Sequence, residues 1–347
     1  MQADETTDAA SRESHVVRWG FVGTGSIAHA MAEAVRSAPS ATLAAVSSRS
    51  MASAQEFADN FGGVRAFDAW TDMAAWDGID AVYVATPTSV REEISVAAAG
   101  RGKHVLAEKP FTDLPSVRRI AAACRANGVA FMDGTHFVHH PRTVLIQSRM
   151  ADLVGDPVSV DSAFQFDLPD RSNIRYDPVL EPMGAVGDAG WYNMRAAVAY
   201  LSPNAELQMT SAVLRRDAET GAVIGASGVL VFSDGATSTW TCGFNSGAVI
   251  MDLRISGTIG SINIDDFLSQ QPDNSARYLH RRGGWGPEAA RESVTIASSL
   301  SGAALMFEDF AAAVADAALR EQWIRATERT QALLDAVWQS ALANEGK

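Results

Sequence analysis

Cysteine is nearly absent from this 347-residue chain, which carries only Cys124 and Cys242. Two thiols cannot frame a disulfide-stapled fold, and their scarcity fits a reducing cytoplasm. No apolar run approaches the roughly 20 residues that span a bilayer. Positive charge is also short, since 28 basic against 41 acidic residues leave a net charge of -13. A surface of that sign repels phosphate backbones and anionic lipid, which argues against nucleic-acid and membrane partners. A small anion in a local basic pocket remains compatible with it. Residues 1–15 lack an apolar block, so they read as a flexible tail and not as a signal peptide.

The remaining length suits about two domains. From residue 16 to residue 139, short buried runs at 16–22, 43–47, 81–85, 104–107 and 129–132 alternate with helical stretches at 27–36, 52–61, 92–99 and 117–127. Such alternation predicts an α/β fold, a doubly wound parallel sheet of the Rossmann type. The rhythm changes near His140. After a helix expected at 143–151, the segments 158–166, 207–214, 228–232, 238–244, 251–255 and 262–264 are strand-like, and several alternate polar with apolar residues. Helices at 306–319 and 327–344 close the chain. Residues 140–347 are therefore expected to form an α+β domain with an open, mostly antiparallel sheet.

After the first strand stands Gly23-Thr24-Gly25-Ser26-Ile27-Ala28. Gly23 suits a tight turn, Gly25 a close approach of backbone to a pyrophosphate, and Ala28 close helix–strand packing. The helix that opens there offers free N–H groups and its positive dipole end. About 20 residues on, NAD binders place a carboxylate for the ribose hydroxyls; this chain has Ser47-Ser48-Arg49-Ser50 instead. Arg49 can face a 2′-phosphate with its planar fork and Ser48 can add a donor. The alternative is an arginine solvated at a helix start. NADP(H) is expected in preference to NAD(H).

Two further runs, Ala85-Thr86-Pro87-Thr88-Ser89 and Ala107-Glu108-Lys109-Pro110, end consecutive strands. With Asn173-Ile174-Arg175, Gly187-Asp188-Ala189-Gly190-Trp191-Tyr192 and the Ile255–Ser261 run Ile-Ser-Gly-Thr-Ile-Gly-Ser, the chain resembles the glucose–fructose oxidoreductase/inositol dehydrogenase (Gfo/Idh/MocA) family over nearly its whole length. The segment 134–142 is similar to the branch holding NADP-dependent xylose dehydrogenases and dimeric dihydrodiol dehydrogenases. The resemblance implies a cis Lys109–Pro110 bond, a catalytic Lys109, an acid/base Tyr192 and a supporting Asp188. It places Thr86, Pro87, Glu108 and Lys109 with Gly23, Thr24, Gly25, Ser26, Ile27, Ser48 and Arg49 around the cofactor. Asn173 and Arg175 would hydrogen-bond a sugar, and Trp191 would stack on a pyranose face.

Residue chemistry adds to these expectations. A lysine at the carboxyl end of a sheet strand faces the crevice where doubly wound folds bind ligands. Its ammonium beside Tyr192 should lower the phenol's pKa. Thr88 and Arg91 stand where many relatives carry asparagine and histidine, and Arg195 stands where inositol-type members carry aspartate; both changes argue against inositol as substrate. His136, His139 and His140 have spacing that tempts a metal reading, but Pro141 interrupts the helix that would converge them. No metal is expected, and His136 is assigned to the substrate pocket.

The sequence thus points to a cytoplasmic NADP(H)-dependent oxidoreductase acting on an aldose such as xylose or glucose, or on a related polyol. The alternatives are a trans-dihydrodiol dehydrogenase, a keto-sugar reductase, or a catalytically silent NADP-bound sensor. By family analogy the second sheet would join subunits into a homodimer or homotetramer.

Overall fold

The computed structural model describes residues 16–284 and 290–345, so the tail assigned to residues 1–15 lies outside the described residues. The first layer set alternates β1 (Val17–Val22), α1 (Ser26–Ser37), β2 (Ala41–Ser47), α2 (Met51–Asn60), β3 (Arg65–Phe67) and α3 (Trp70–Ala75). It continues with β4 (Ala81–Val84), α4 (Thr88–Gly100), β5 (His104–Ala107), α5 (Leu114–Ala126) and β6 (Phe131–Asp133). All these strands pair in parallel in the order β3-β2-β1-β4-β5-β6. The order reverses at β1, and open α/β sheets bind ligands outside the carboxyl ends of strands at such a point. In-register pairing of Val84 with Ala107 sets the loops after β4 and β5 side by side at that edge.

A 3-10 turn (His136–His139), α6 (Pro141–Ser148) and α7 (Met150–Leu153) lead into the second sheet. Its strands are β7 (Pro157–Asp167), β8 (Leu207–Arg216), β9 (Val223–Phe232), β10 (Thr237–Gly243), β11 (Asn245–Gly257), β12 (Gly260–Ile264), β13 (Ala276–Arg282) and β14 (Ala290–Ile296). They lie in the order β14-β13-β12-β11-β7-β10-β9-β8, antiparallel except where β10 runs parallel to β7. Between β7 and β8 come a 3-10 turn (Ile174–Tyr176), α8 (Gly184–Asp188) and α9 (Gly190–Tyr200).

The last helices, α10 (Gly302–Ala315) and α11 (Ala317–Asn344), join the two halves. Phe307 and Phe310 of α10 pack on Trp19 of β1 at centroid distances of 4.9 and 4.8 Å, so the cofactor-side core is completed from the far end of the chain. Aromatic pairs of this kind contribute about 0.5–1.5 kcal/mol beyond their buried area. On α11, Gln331 and Asp335 accept the backbone N–H groups of Phe111 and Leu114, fixing the loop after β5. The expected helix over 306–319 ends early because Asp316 accepts from the N–H groups of Ala318 and Leu319 and starts α11. The expected helix over 143–151 is likewise two pieces, α6 and α7, meeting at Arg149. No helix among the described residues is long and apolar enough to cross a membrane.

Candidate active site

The turn after β1 has a geometry that can accommodate a phosphate. Gly23 has φ 112°, and a Cβ there would lie 2.7 Å from the Ala85 carbonyl oxygen, so only glycine fits. Gly25 caps α1 without a side-chain hydrogen bond, nothing approaches within 4 Å of where its Cβ would be, and the first turn carries no acid. The N–H groups of that turn are thus free for an anion. Ala28 is fully buried against the sheet. Gly25, Ser26 and Ile27 line one side of a cleft of about 470 Å³. Thr86, also on the cleft, has a buried hydroxyl without a partner among the described residues. An orphaned donor and an open helix end are what a dinucleotide would fill, so these residues fit NADP(H). Thr24 is half-buried in the turn, Pro87 precedes α4, and Ser48 and Arg49 follow β2, with Arg49 exposed.

Glu108 and Lys109 leave β5 into the same cleft. Glu108 is buried, accepts from the Tyr83 hydroxyl at 2.5 Å, and accepts from the Lys109 backbone N–H at 3.3 Å. The Lys109–Pro110 peptide is cis. Gly187 lets α8 press on that proline, since a Cβ would come within 2.8 Å of the Pro110 ring. This packing brings Asp188 to the lysine. Lys109 Nζ donates to Asp188 Oδ1 at 2.7 Å and to its carbonyl at 3.0 Å, and lies 4.7 Å from the centroid of the Tyr192 ring. Arg175 closes the cluster, with Nε 2.7 Å from Asp188 Oδ2. Asn173 caps the turn that carries it, accepting from the Arg175 N–H at 3.1 Å.

The electrostatics follow from burial and these charges. Burial alone would raise the Asp188 carboxyl, but the Lys109 and Arg175 charges outweigh it and hold the group well below the usual carboxylate range. Tyr192 departs from the sequence expectation. Burial, then the Glu108 and Asp188 carboxylates, push its phenol well above 10, and Arg175 opposes them only in part. The Lys109 ammonium, paired with Asp188 and 4.7 Å from the ring centroid, does not offset these effects. His136 lies behind this tyrosine, ring centroids 5.8 Å apart. Burial, Lys109 and His139 push its imidazole down to about 4.

Lys109, Asp188, Tyr192, Asn173 and Arg175 therefore meet on one cleft with Gly25, Ser26, Ile27, Thr86 and Glu108. Three further expectations need correction. His136, expected in the substrate pocket, packs on Tyr192 and is not among the residues that line the cleft. Trp191 is fully buried, donates from Nε1 to the Thr135 hydroxyl at 2.7 Å and packs on Phe111, so it presents no face to a sugar. Arg195 does not reach the cleft; it is buried against Asp133, whose oxygens also accept from Thr135 and Thr327. His136, His139 and His140 do not converge: His139 Nδ1 meets Asp309, and His140 Nε2 meets the Asn274 carbonyl. Among the described residues no group of three acidic, histidine or cysteine side chains could hold a metal.

Sequence reasoning missed a brace across the cleft. Buried Arg91 donates to the carbonyls of Thr86 and Pro110, tying the loops after β4 and β5 together. Glu181 accepts from the backbone N–H and hydroxyl of Thr88 at 3.0 and 2.7 Å, fastening the second half of the chain to the start of α4. The cleft lining also includes Phe164 and Phe166 of β7, and Phe164 meets Tyr192 edge-on at 5.6 Å.

Comparison with known proteins places these features in a family. Residues 17–135 match the oxidoreductase family with an NAD-binding Rossmann fold, GFO/IDH/MocA, and residues 149–263 match the GFO/IDH/MocA C-terminal domain. A dTDP-3,4-didehydro-2,6-dideoxy-alpha-D-glucose 3-reductase from Actinomadura kijaniata is 32% identical over 230 residues, covering 65% of this chain and 68% of that protein. A D-xylose 1-dehydrogenase (NADP(+)) from Haloferax volcanii is 32% identical over 270 residues, 77% of this chain and 81% of the other. The solved structure of a 3-ketoreductase from Actinomadura kijaniata in complex with NADP and TDP-benzene superposes with a TM-score of 0.85 at 27% identity, over 94% of this chain and 98% of that one.

Proposed function

The chain belongs to the GFO/IDH/MocA oxidoreductase family, and on that premise we propose that it transfers hydride between NADP(H) and the carbinol or carbonyl carbon of a sugar or related polyol. The observation that carries this reading is the meeting of Lys109, Asp188 and Tyr192 in the cleft that the α1 glycine turn also lines. When bound, the nicotinamide supplies or takes up the hydride at the reacting carbon.

The chain's own residues do the rest. Gly23, Thr24, Gly25, Ser26 and Ile27 seat the pyrophosphate on the α1 N-terminus. Ser48 and Arg49 take the 2′-phosphate, which selects NADP(H) over NAD(H). Thr86, Pro87 and Glu108 border the nicotinamide end. Lys109, aimed by Asp188, donates to the reacting oxygen and stabilises the charge that develops there. Asn173 and the outer edge of Arg175 meet substrate hydroxyls. Tyr192, kept as a phenol by its surroundings, gives its proton to the oxygen as a carbonyl is reduced.

A phenol is the form from which carbonyl reduction starts, and reduction of a keto-sugar is the activity named for the Actinomadura kijaniata relative. Oxidation of an aldose such as xylose uses the same groups in reverse. Nicotinamide absorbance, followed with keto-sugars, aldoses and diols in both directions, tests the proposal. Turnover of a sugar with the NADP(H) couple is expected. Tight NADPH binding with no turnover across the panel would make the protein a sensor instead. The outer face of the eight-stranded sheet, which carries Asp161, Thr239, Arg254 and Asn263, is the surface we assign to a homo-oligomer. A monomer by light scattering contradicts that assignment.

A further inference from the structure

His136 and His139 have no part in the scheme above, yet the fold lines them up. They open and close one 3-10 turn, and with three residues per turn the side chains at i and i+3 eclipse along one edge. At the inner end, the His136 ring lies 5.8 Å from the Tyr192 ring. At the outer end, His139 Nδ1 is 2.6 Å from Asp309 Oδ2 on α10, and the His139 ring packs on Trp323 at 4.6 Å. The His139 side chain is 1% exposed, whereas that of Asp309 is 45% exposed. Asp309 is not part of the cleft lining. The series therefore has one end beside Tyr192 and the other at an exposed carboxylate away from the cleft lining.

We propose that His136, His139 and Asp309 form a proton relay that recharges Tyr192 from solvent while the cleft stays closed over its ligands. The inference rests on the assignment of Tyr192 as the proton donor. It answers a need of that assignment, because Tyr192 is only 8% exposed and a loaded cleft excludes bulk water.

The proton balance is as follows. As the carbonyl carbon gains a hydride, the Tyr192 O–H bond breaks and its proton goes to the substrate oxygen. A proton from a His136 ring N–H then passes to the phenolate oxygen. The other His136 nitrogen accepts a proton handed on by His139, which is replenished from water at Asp309. Each turnover adds one hydride and one proton to the carbonyl, and nothing else is oxidised or reduced. The groups facing His136 are Tyr192 from α9, Lys109 from the end of β5 and His139 on its own turn. Burial and the Lys109 ammonium keep its imidazole neutral at pH 7. A neutral ring has one N–H to give and one lone pair to receive, so it passes protons without storing one.

The test uses the full-length protein with NADPH and a carbonyl substrate that the wild type reduces. In His136→Phe, kcat should fall about 10- to 100-fold while the NADPH dissociation constant is unchanged. A solvent deuterium isotope effect on kcat should grow, and imidazole added to His136→Ala should restore part of the lost rate. A purely structural role would give neither the isotope effect nor the rescue. Wild-type kcat and isotope effect in His136→Phe would overturn the relay. A second readout needs no substrate: in imidazole 15N NMR, Asp309→Asn should shift the signals of both His139 and His136. A shift confined to His139 breaks the chain and overturns the proposal. A wild type that reduces no carbonyl compound would count against the role of Tyr192, whereas the coupling between the histidines is decided by the NMR alone.

Discussion

Two buried ion clusters lie a short way apart along the same helical stretch, and they differ in what surrounds them. The Lys109–Asp188–Arg175 cluster has one side on the cleft, with the Arg175 side chain 35% exposed. The Arg195–Asp133 pair is sealed, at 2% and 1% exposure, and Thr135 and Thr327 satisfy the remaining carboxylate lone pairs. Burial and charge pairing are common to both. Only the first keeps a donor, the Lys109 ammonium, next to open space and a polarisable phenol. Perturbed titration marks a functional site when a ligand can reach it; the sealed pair instead fixes β6 against α9.

The largest expected effect separates the clusters by activity. Lys109→Ala should lower turnover about 10²- to 10⁴-fold and leave NADPH binding and folding intact, because Arg175 still pairs with Asp188. Steady-state kinetics beside cofactor fluorescence measures both. Arg195→Met should do the reverse. It leaves a buried Asp133 uncompensated and costs about 3–5 kcal/mol of stability by denaturant unfolding, with turnover per folded molecule near wild type. Loss of turnover in step with Lys109→Ala would erase the contrast.

A smaller effect concerns the cofactor end. Arg49→Ala should weaken NADPH about 10- to 100-fold, the worth of a charge-assisted hydrogen bond, and leave NADH nearly unaffected. Equal losses for both cofactors would remove Arg49 from the 2′-phosphate. The smallest effect is a flat profile. Burial and the Glu108 and Asp188 carboxylates raise the Tyr192 phenol above 10. The phenol proposed as proton donor is therefore present throughout the range below, and carbonyl reduction should show no loss assignable to Tyr192 between pH 7 and pH 10. An inflection near pH 8 that disappears in Tyr192→Phe would contradict the raised value.

The parallel sheet was legible because each of its main strands is an apolar run closed by a helix signal, and the glycine turn marks its ligand edge. β3 is three residues long, and β13 reads Ala-Arg-Tyr-Leu-His-Arg-Arg, so length and charge hid both. At the site, Lys109, Asp188 and Tyr192 were visible as motif residues. Trp191 was placed on the wrong side although helix geometry decides it: its neighbour Tyr192 faces the cleft, and successive side chains diverge by about 100°. Arg195 falls on nearly the same stripe as Asp188 and Tyr192. Only the tertiary partner Asp133, far back in the chain, shows that the cleft ends before it. The bracing contacts of Arg91 and Glu181 were silent for the same reason, since they depend on tertiary packing of separate loops.

One signal went unused. Lysine stands only at 103, 109 and 347, arginine supplying the rest of the positive charge. Lys103 is committed to the Trp76 and Ile79 carbonyls. The role proposed for Lys109 suits a compact ammonium rather than a broad guanidinium beside a reacting oxygen.

A structure of the abortive complex with NADP+ and a turned-over keto-sugar tests the central claim most directly, through the position of the substrate's carbonyl oxygen. The account predicts that this oxygen lies within hydrogen-bond distance of both Lys109 Nζ and the Tyr192 hydroxyl. A carbonyl oxygen bound at Arg175 and out of reach of Lys109 and Tyr192 would contradict it.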